Sequence, residues 1–376
     1  MSGRKRYWVG LLVGGVFLAL FIRTADASRL VDAFADASYW YVVPAILVYQ
    51  LSTLFRTIRW RLLLRHLRPI AVARLYPVLV VGYMANNLLP MRLGELVRSY
   101  YLGEREGISK TSALATIIVE RLVDALTLIL FIAVIALFVP FLLFAERLRD
   151  DSSALWFLLV VGVSGGFLIA FGGLVLVAYA PSRAGSLAKA VITPSPGAVR
   201  RRVLPLIELF IDGLQALRSP RTVGVLFLFS LPIWLLEAGL FFILGYSFGL
   251  DEVYESPLEM AIVMVLVTAI ANIGSSVPAA PGGLGLFELV ARETLVLLPL
   301  AAVDRSVATA YVAVVHAVLL LPMIALGWLF LLGQSVTLRS LWQAGKSTPR
   351  QVATPSATDE QGPRRGDLPS GTADSE

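Results

Sequence analysis

Two short polar segments interrupt an otherwise apolar chain, and their residue types could handle an anionic group. The first reads Asn86-Asn87-Leu88-Leu89-Pro90-Met91-Arg92-Leu93-Gly94-Glu95, with Arg98 three residues on. The second starts at Asn272-Ile273-Gly274-Ser275-Ser276-Val277-Pro278 and ends at Pro281-Gly282-Gly283-Leu284-Gly285-Leu286-Phe287-Glu288. Each places Asn before Pro, Gly four residues after a Pro (Pro90 to Gly94, Pro281 to Gly285), and then Glu. Proline removes a backbone donor and glycine frees φ, so a helix is predicted to break at both places. At the first break, Arg92 and Arg98 beside the exposed amides of a helix starting near Gly94 would suit a phosphate. The plainer reading is that Pro and Gly only kink ordinary spans. The Asn, Arg and Glu gathered at the same breaks favour a site.

Other ionisable residues sit inside apolar runs. Glu120, Arg121 and Asp124 fall near the start of one; Glu120 and Asp124 share a helical face, and Arg121 can pair with Asp124. Glu237 and His316 each lie in the middle of another run. A charge at the bilayer centre costs at least about 2.5 kcal/mol, so such groups are expected to face protein or water. A headgroup-level ion pair would explain the first cluster, and hydrogen-bonded packing would explain His316. Glu237 is expected to seek a partner such as Arg92 or Arg121. The run Arg56-Thr57-Ile58-Arg59-Trp60-Arg61, with Arg65 and Arg68, reads mainly as a positive anchor at the cytoplasmic end of a span.

Composition says what solvent surrounds these groups. The 376 residues are 57% hydrophobic and 15% charged, with a mean hydropathy of +0.77. Soluble domains run at roughly 45–50% apolar and about 25% charged, so lipid must be the solvent. The absence of cysteine excludes disulfides, thiolate nucleophiles and Cys-type metal sites. Two histidines, His66 and His316, are too few for a histidine-rich metal centre, and no nucleotide loop is present. No cofactor or metal is therefore expected. The net charge of +6 points to anionic headgroups and topology rather than nucleic acid. Twenty-eight arginines against four lysines suggest a GC-rich bacterial genome.

Six runs are long enough to span: 7–22, 40–64, 112–144, 154–180, 223–248 and 307–332. The first is read as an uncleaved anchor. Arg4, Lys5 and Arg6, the arginines of 65–74 and the basic stretch 181–221 place those segments in the cytoplasm, with the C-terminus. Acid-rich loops at 23–36, 146–151 and 251–259 read as outside. Parity then makes 75–101 a re-entrant hairpin from the cytoplasmic side. The stretch 258–300 is either a hairpin from the outside or two full spans. The expected fold is an all-α polytopic bundle of about eight membrane segments, six clear spans and two broken hairpins, arranged as an inverted repeat. Residues 1–332 form the membrane domain and 333–376 a polar tail expected to be disordered and cytoplasmic.

The patterns Asn-Asn-Leu-Leu-Pro-x-Arg-x-Gly-Glu-x-x-Arg (Asn86 to Arg98), Glu-Arg-x-x-Asp (Glu120 to Asp124) and Pro-Gly-Gly-Leu-Gly-x-x-Glu (Pro281 to Glu288) resemble the lysylphosphatidylglycerol synthase transmembrane-region family, also labelled flippase-like. The resemblance covers about Tyr7 to Gly333 and implies a helical bundle that moves an anionic or aminoacylated phospholipid between leaflets. Full-length synthases carry a soluble aminoacyl-transfer domain after this region, and only the short tail stands there in this chain. The resemblance therefore implies translocation without synthase chemistry.

The expected activity is lipid translocation in the plasma membrane without a covalent step. Arg92 and Arg98 would hold the phosphate, and Asn86, Asn87 and Asn272 would replace headgroup hydration. Backbone at Pro281, Gly282, Gly283 and Gly285 would assist. Glu95, Glu120, Asp124 and Glu288 would pair with the arginines, Arg121 among them, or receive a cationic headgroup; Glu237 and His316 complete the candidate set. The alternatives are an intramembrane enzyme or an accessory subunit acting on lipid-linked envelope precursors. A homo-oligomer or an envelope-biosynthesis partner stays open.

Overall fold

The computed structural model describes residues 3–89, 93–147, 186, 190, 220–276, 280–298 and 303–332, with side chains from Leu12 in the first helix and up to Ile135 in the sixth. The expected span 154–180, the break residues Pro90, Met91 and Arg92, and the tail 333–376 lie outside them.

Within the described residues the chain is helical, with ten α-helices. They are α1 (Gly3–Arg23), α2 (Ala27–Asp36), α3 (Val42–Leu64), α4 (Val72–Leu88), α5 (Gly94–Glu106), α6 (Lys110–Arg147), α7 (Pro220–Ser247), α8 (Pro257–Gly274), α9 (Leu286–Leu297) and α10 (Arg305–Leu332). Four stretches, Tyr39–Leu64, Arg221–Ser247, Pro257–Gly274 and Arg305–Leu332, are long and apolar enough to cross a membrane. Helix α6, at 38 residues, is ~57 Å long at 1.5 Å per residue.

The outward faces of these helices are apolar. Leu47, Leu51 and Leu54 on α3, Leu228 and Leu235 on α7, and Leu321, Leu329 and Leu332 on α10 are all exposed. A soluble protein would not leave so many leucines to water on parallel stripes, so this is a multi-pass membrane protein with lipid-facing sides. The inward face of α3 is different. At helical spacing it buries Ala45, Ser52, Arg56, Arg59, Trp60 and Leu63.

Helices α3 and α7 pack antiparallel, with Ser52 Oγ donating to the Ile233 carbonyl at 2.9 Å and Ser247 Oγ to the Ser38 carbonyl at 2.9 Å. Helices α4 and α5 form a hairpin with a very close approach. A Cβ on Gly94 would run into the Gly82 carbonyl oxygen, and one on Gly82 would lie 2.9 Å from Arg98 Cβ. Helices α8 and α9 form the second hairpin. Both hairpins are short: α5 has 13 residues and α9 has 12, or ~20 and ~18 Å, less than the ~30 Å hydrocarbon core.

Outside the spans, α2 is tied to the start of α10. Asp26 caps α2 by accepting from the Ser28 and Arg29 amides, while its own amide donates to Ser306 Oγ at 3.2 Å. Asp304 caps α10, accepting from the Ser306 amide at 2.8 Å and the Val307 amide at 3.2 Å, and pairs with Arg29 at 3.1 Å. Partial burial raises the Asp304 carboxyl, but these donors more than offset it and hold it below the ordinary value. A carboxyl lowered on folding stabilises the protein above its unfolded value and loses that contribution as pH falls through the folded one. Asp304→Ala should therefore cost about 1 kcal/mol at neutral pH. In thermal melts of detergent-solubilised protein the deficit should shrink as pH falls below about 4.

Candidate functional site

Charged side chains from four helices, with Asn272 of a fifth, converge in a buried ionic cluster. Asp124 on α6 accepts from Arg59 Nη1 at 2.6 Å and from Trp234 Nε1 at 3.1 Å, and Arg121 lies 3.2 Å from its other oxygen. Glu120, fully buried one turn earlier, receives both terminal nitrogens of Arg98 at 3.1 and 2.8 Å, and Arg121 at 2.7 Å. Glu237 on α7 receives Arg56 Nη2 at 2.5 Å and the Asn272 side-chain amide at 3.0 Å. The guanidiniums are also stacked: Arg98 lies 3.6 Å from the Trp60 ring centroid, and Arg56 lies 4.5 Å from that of Trp234. Such pairing is what lets charge persist away from water.

One face of this cluster opens into a cavity of about 150 Å³. Arg56, Arg121, Glu95 and Glu237 supply its charges, and Asn86, Asn87, Asn272 and Ser275 its neutral polar groups. Tyr49, Tyr83 and Trp234 add aromatic wall, and Ala280, Gly282 and Gly283 close it from the second break. Tyr83 Oη, Arg56 Nε and Arg121 Nε are buried without a hydrogen-bond partner among the described residues, so the described cavity wall keeps unsatisfied polar groups.

Both breaks form where the sequence places them. Helix α4 ends at Leu88 and α5 begins at Gly94, whose amide donates to Asn86 Oδ1 at 2.8 Å. The second break is a short turn, Pro281–Gly283, followed by α9. Gly282, Gly283 and Gly285 all have positive φ there. The Gly285 amide donates to Glu288 Oε2 at 2.7 Å, which fixes the start of α9. The two breaks meet: a Cβ on Gly282 would lie 3.5 Å from the Asn87 carbonyl oxygen.

The candidate residues therefore separate into three groups. Asn86, Asn87, Glu95, Arg121, Glu237, Asn272, Gly282 and Gly283 line the cavity. Arg98, Glu120 and Asp124 stand behind it in the ionic cluster, with Arg98 committed to Glu120. Glu288 and His316 lie behind the second break, bonded to each other at 2.8 Å, while Pro281 and Gly285 flank that loop. Arg92 lies outside the described residues.

Two expectations are corrected. Arg56 and Arg59 are not interfacial anchors; both are buried and paired with Glu237 and Asp124. Among the described residues Glu237 accordingly pairs with Arg56 rather than with Arg121, and Arg92 lies outside them. The available signal was the spacing of Arg56 and Arg59, three apart on the face that also carries Ser52 and Thr53. Tyr49, Tyr83 and Trp234 carried no comparable signal, because aromatic residues are common on buried faces. Among the described residues no group of metal-ligating side chains gathers.

Comparison with known proteins agrees with the fold. The chain is 28% identical over 331 residues to a protein named glycosyltransferase AglD of Haloferax volcanii, covering 82% of this chain and 51% of AglD. It thus spans about half the length of that relative. It is also 28% identical over 312 residues to a UPF0104 membrane protein of Methanothermobacter thermautotrophicus, covering 80% of this chain and 87% of that protein. A second UPF0104 protein of the same organism is 22% identical over 307 residues. These relatives are archaeal. Residues 7–327 match the family model described as the lysylphosphatidylglycerol synthase TM region, and the chain belongs to that family.

Proposed function

We propose that this protein carries the headgroup of an anionic or aminoacylated lipid between leaflets through the cavity at the two breaks, with no covalent step. The observation that carries the reading is the meeting of both interrupted hairpins at one polar, partly unsatisfied cavity inside a lipid-facing bundle. Paired broken helices at membrane depth are the arrangement that transporters use for a substrate site. Arg121 and Arg56 would face the phosphate, the three asparagines would replace its hydration, and Glu95 and Glu237 would receive a cationic amino group. Acyl chains would stay in the bilayer.

In this reading the α4–α5 hairpin enters from the cytoplasmic side and α8–α9 from the opposite side, making an inverted repeat in a bundle of about eight membrane segments. Both termini are cytoplasmic and the membrane is the plasma membrane. The naming of AglD as a glycosyltransferase favours a second reading, in which the domain handles a lipid-linked sugar precursor for envelope assembly, alone or beside a partner enzyme.

The test is reconstitution of the full chain in phosphatidylcholine vesicles doped with acyl-labelled phosphatidylglycerol or its lysyl ester. An impermeant reductant added outside then reads inner-leaflet probe as it emerges. Wild type should accelerate emergence of at least one probe, and Arg121→Gln should slow it tenfold or more. The variant should fold, because Glu120 keeps Arg98 and Asp124 keeps Arg59. Equal rates in wild type and variant, or no acceleration of either probe, would overturn the proposal.

A further inference from the structure

Glu288 and His316 are buried, and neither lines the cavity. His316 stacks on Phe287 with ring centroids 4.3 Å apart, so its orientation is fixed. Both ring nitrogens then face oxygen. Nδ1 is 2.8 Å from Glu288 Oε1, and Nε2 is 3.1 Å from the Gly282 carbonyl oxygen. A carbonyl can only accept, so Nε2 must carry a hydrogen. The contact at Nδ1 is then a bond only if a second proton sits between imidazole and carboxyl, on either side. Neutral histidine and a carboxylate together lack that proton. The arrangement therefore contains one bound proton more than the deprotonated pair.

Removing the proton forces a choice. If hydrogen stays on Nε2, the Nδ1 lone pair faces a carboxylate. If it moves to Nδ1, the Nε2 lone pair faces the Gly282 carbonyl, and that contact is lost. The second costs less, because a carbonyl repels a lone pair less than a full negative charge does. Gly282 walls the cavity and abuts Asn87 of the first break. We propose that Glu288 and His316 form a proton-binding site that latches the Pro281–Gly285 loop onto α10, and that loss of one proton frees this wall of the cavity.

Among the described residues no other charge competes for that proton. On α3 and α7, Arg56 and Glu237 pair with each other. On α9 and α10, Arg292 and Arg305 both bind Glu293, and Arg292 also donates to the Phe21 carbonyl of α1. Asp304 is held by the amides at the start of α10, and Glu259 by the Glu255 amide at the start of α8. On α1 the described charged side chain is the exposed Arg23, and on α4 it is Arg74, paired with Glu106. Tyr311, on the same helix as His316, donates its hydroxyl to the Phe241 carbonyl, and Tyr49 and Tyr83 face the cavity. The latch does not depend on which lipid is carried, and its test reads the loop rather than transport.

The chain has no cysteine, so Leu284→Cys gives a single attachment point on the loop for a polarity-sensitive fluorophore. In the labelled full chain in lipid nanodiscs, emission should follow a single one-proton transition as pH is raised. Glu288→Gln should abolish the transition and hold the acid-side signal. Its amide can donate to Nδ1 and accept from Gly285, so all three bonds survive without a titrating proton. His316→Phe keeps the stacking but has no latch, and should hold the alkaline-side signal. A flat wild-type profile, a Glu288→Gln profile that titrates or rests at the alkaline-side value, or a His316→Phe profile that titrates like wild type would overturn the proposal.

Discussion

Glu120→Ala should lose about 3–5 kcal/mol of stability, the largest effect expected from any single ionic residue in this chain. Glu120 has no exposure and holds three arginines: Arg98 through both terminal nitrogens, Arg121 at 2.7 Å, and Arg59 at 3.7 Å. Arg59 and Arg121 would keep Asp124. Among the described residues Arg98 would keep only its stacking on Trp60, and at 2% exposure its guanidinium would be left uncompensated. The charge accounting also says how to repair the damage. Arg98→Met alone should be mild, because Glu120 retains Arg121 and Arg59. Combined with Glu120→Ala it should restore half or more of the lost stability, since the stranded charge is gone. Thermal or denaturant unfolding in a fixed detergent measures all three variants. A loss below 1 kcal/mol for Glu120→Ala, or a double variant no better than the single, would show that Arg98 finds another partner.

That network also shows what could and could not be read from the chain. The breaks were legible because Pro and Gly act locally: α4 stops at Leu88, α5 starts at Gly94, and the turn at Pro281–Gly283 precedes α9. The pairing of Arg121 with Asp124 was legible for the same reason, being three residues apart on one helix. The partners of Glu237 and Glu120 were not, because Arg56 is 181 positions from Glu237 and Arg98 is 22 from Glu120. Charge type gives no distance information over such separations; only packing of α3 against α7 and of α5 against α6 decides the pairs. Arg56 and Arg59 were hidden by a second effect. Near a cytoplasmic span end, the positive-inside tendency explains any arginine, so it masks those that turn inward. His316 reads from the sequence either as a candidate or as a hydrogen-bonded packing residue, and its bond to the Gly282 carbonyl puts it behind the loop.

Gly285→Ala should be nearly as damaging as the loss of Glu120, for reasons of backbone and space alone. Gly285 sits at φ +85°, where an L-residue is strained by about 1–2 kcal/mol or more. Its added Cβ would also collide with the Gly14 carbonyl oxygen of α1 and stand 2.7 Å from the Leu18 nitrogen and 2.8 Å from Phe17 Cβ. Two of those three obstacles are main chain, so no rotamer change relieves them, and α1 must move off the second break. That movement would loosen the same loop that Gly282 and Gly283 bring to the cavity, so the transport proposed above should fall with stability. Two glycines of α1 calibrate the claim. A Cβ on Gly14 would run into Ala280 Cβ, so Gly14→Ala should also disturb the break, while Gly15 has nothing within 4 Å and Gly15→Ala should stabilise by about 0.5–1 kcal/mol through helix propensity alone. Unfolding measurements on Gly14→Ala and Gly15→Ala separate contact from helix propensity, because both exchange glycine for alanine inside α1. If Gly285→Ala matches Gly15→Ala in stability, α1 does not brace the second break, and the cavity wall must be held by α10 and Glu288 alone.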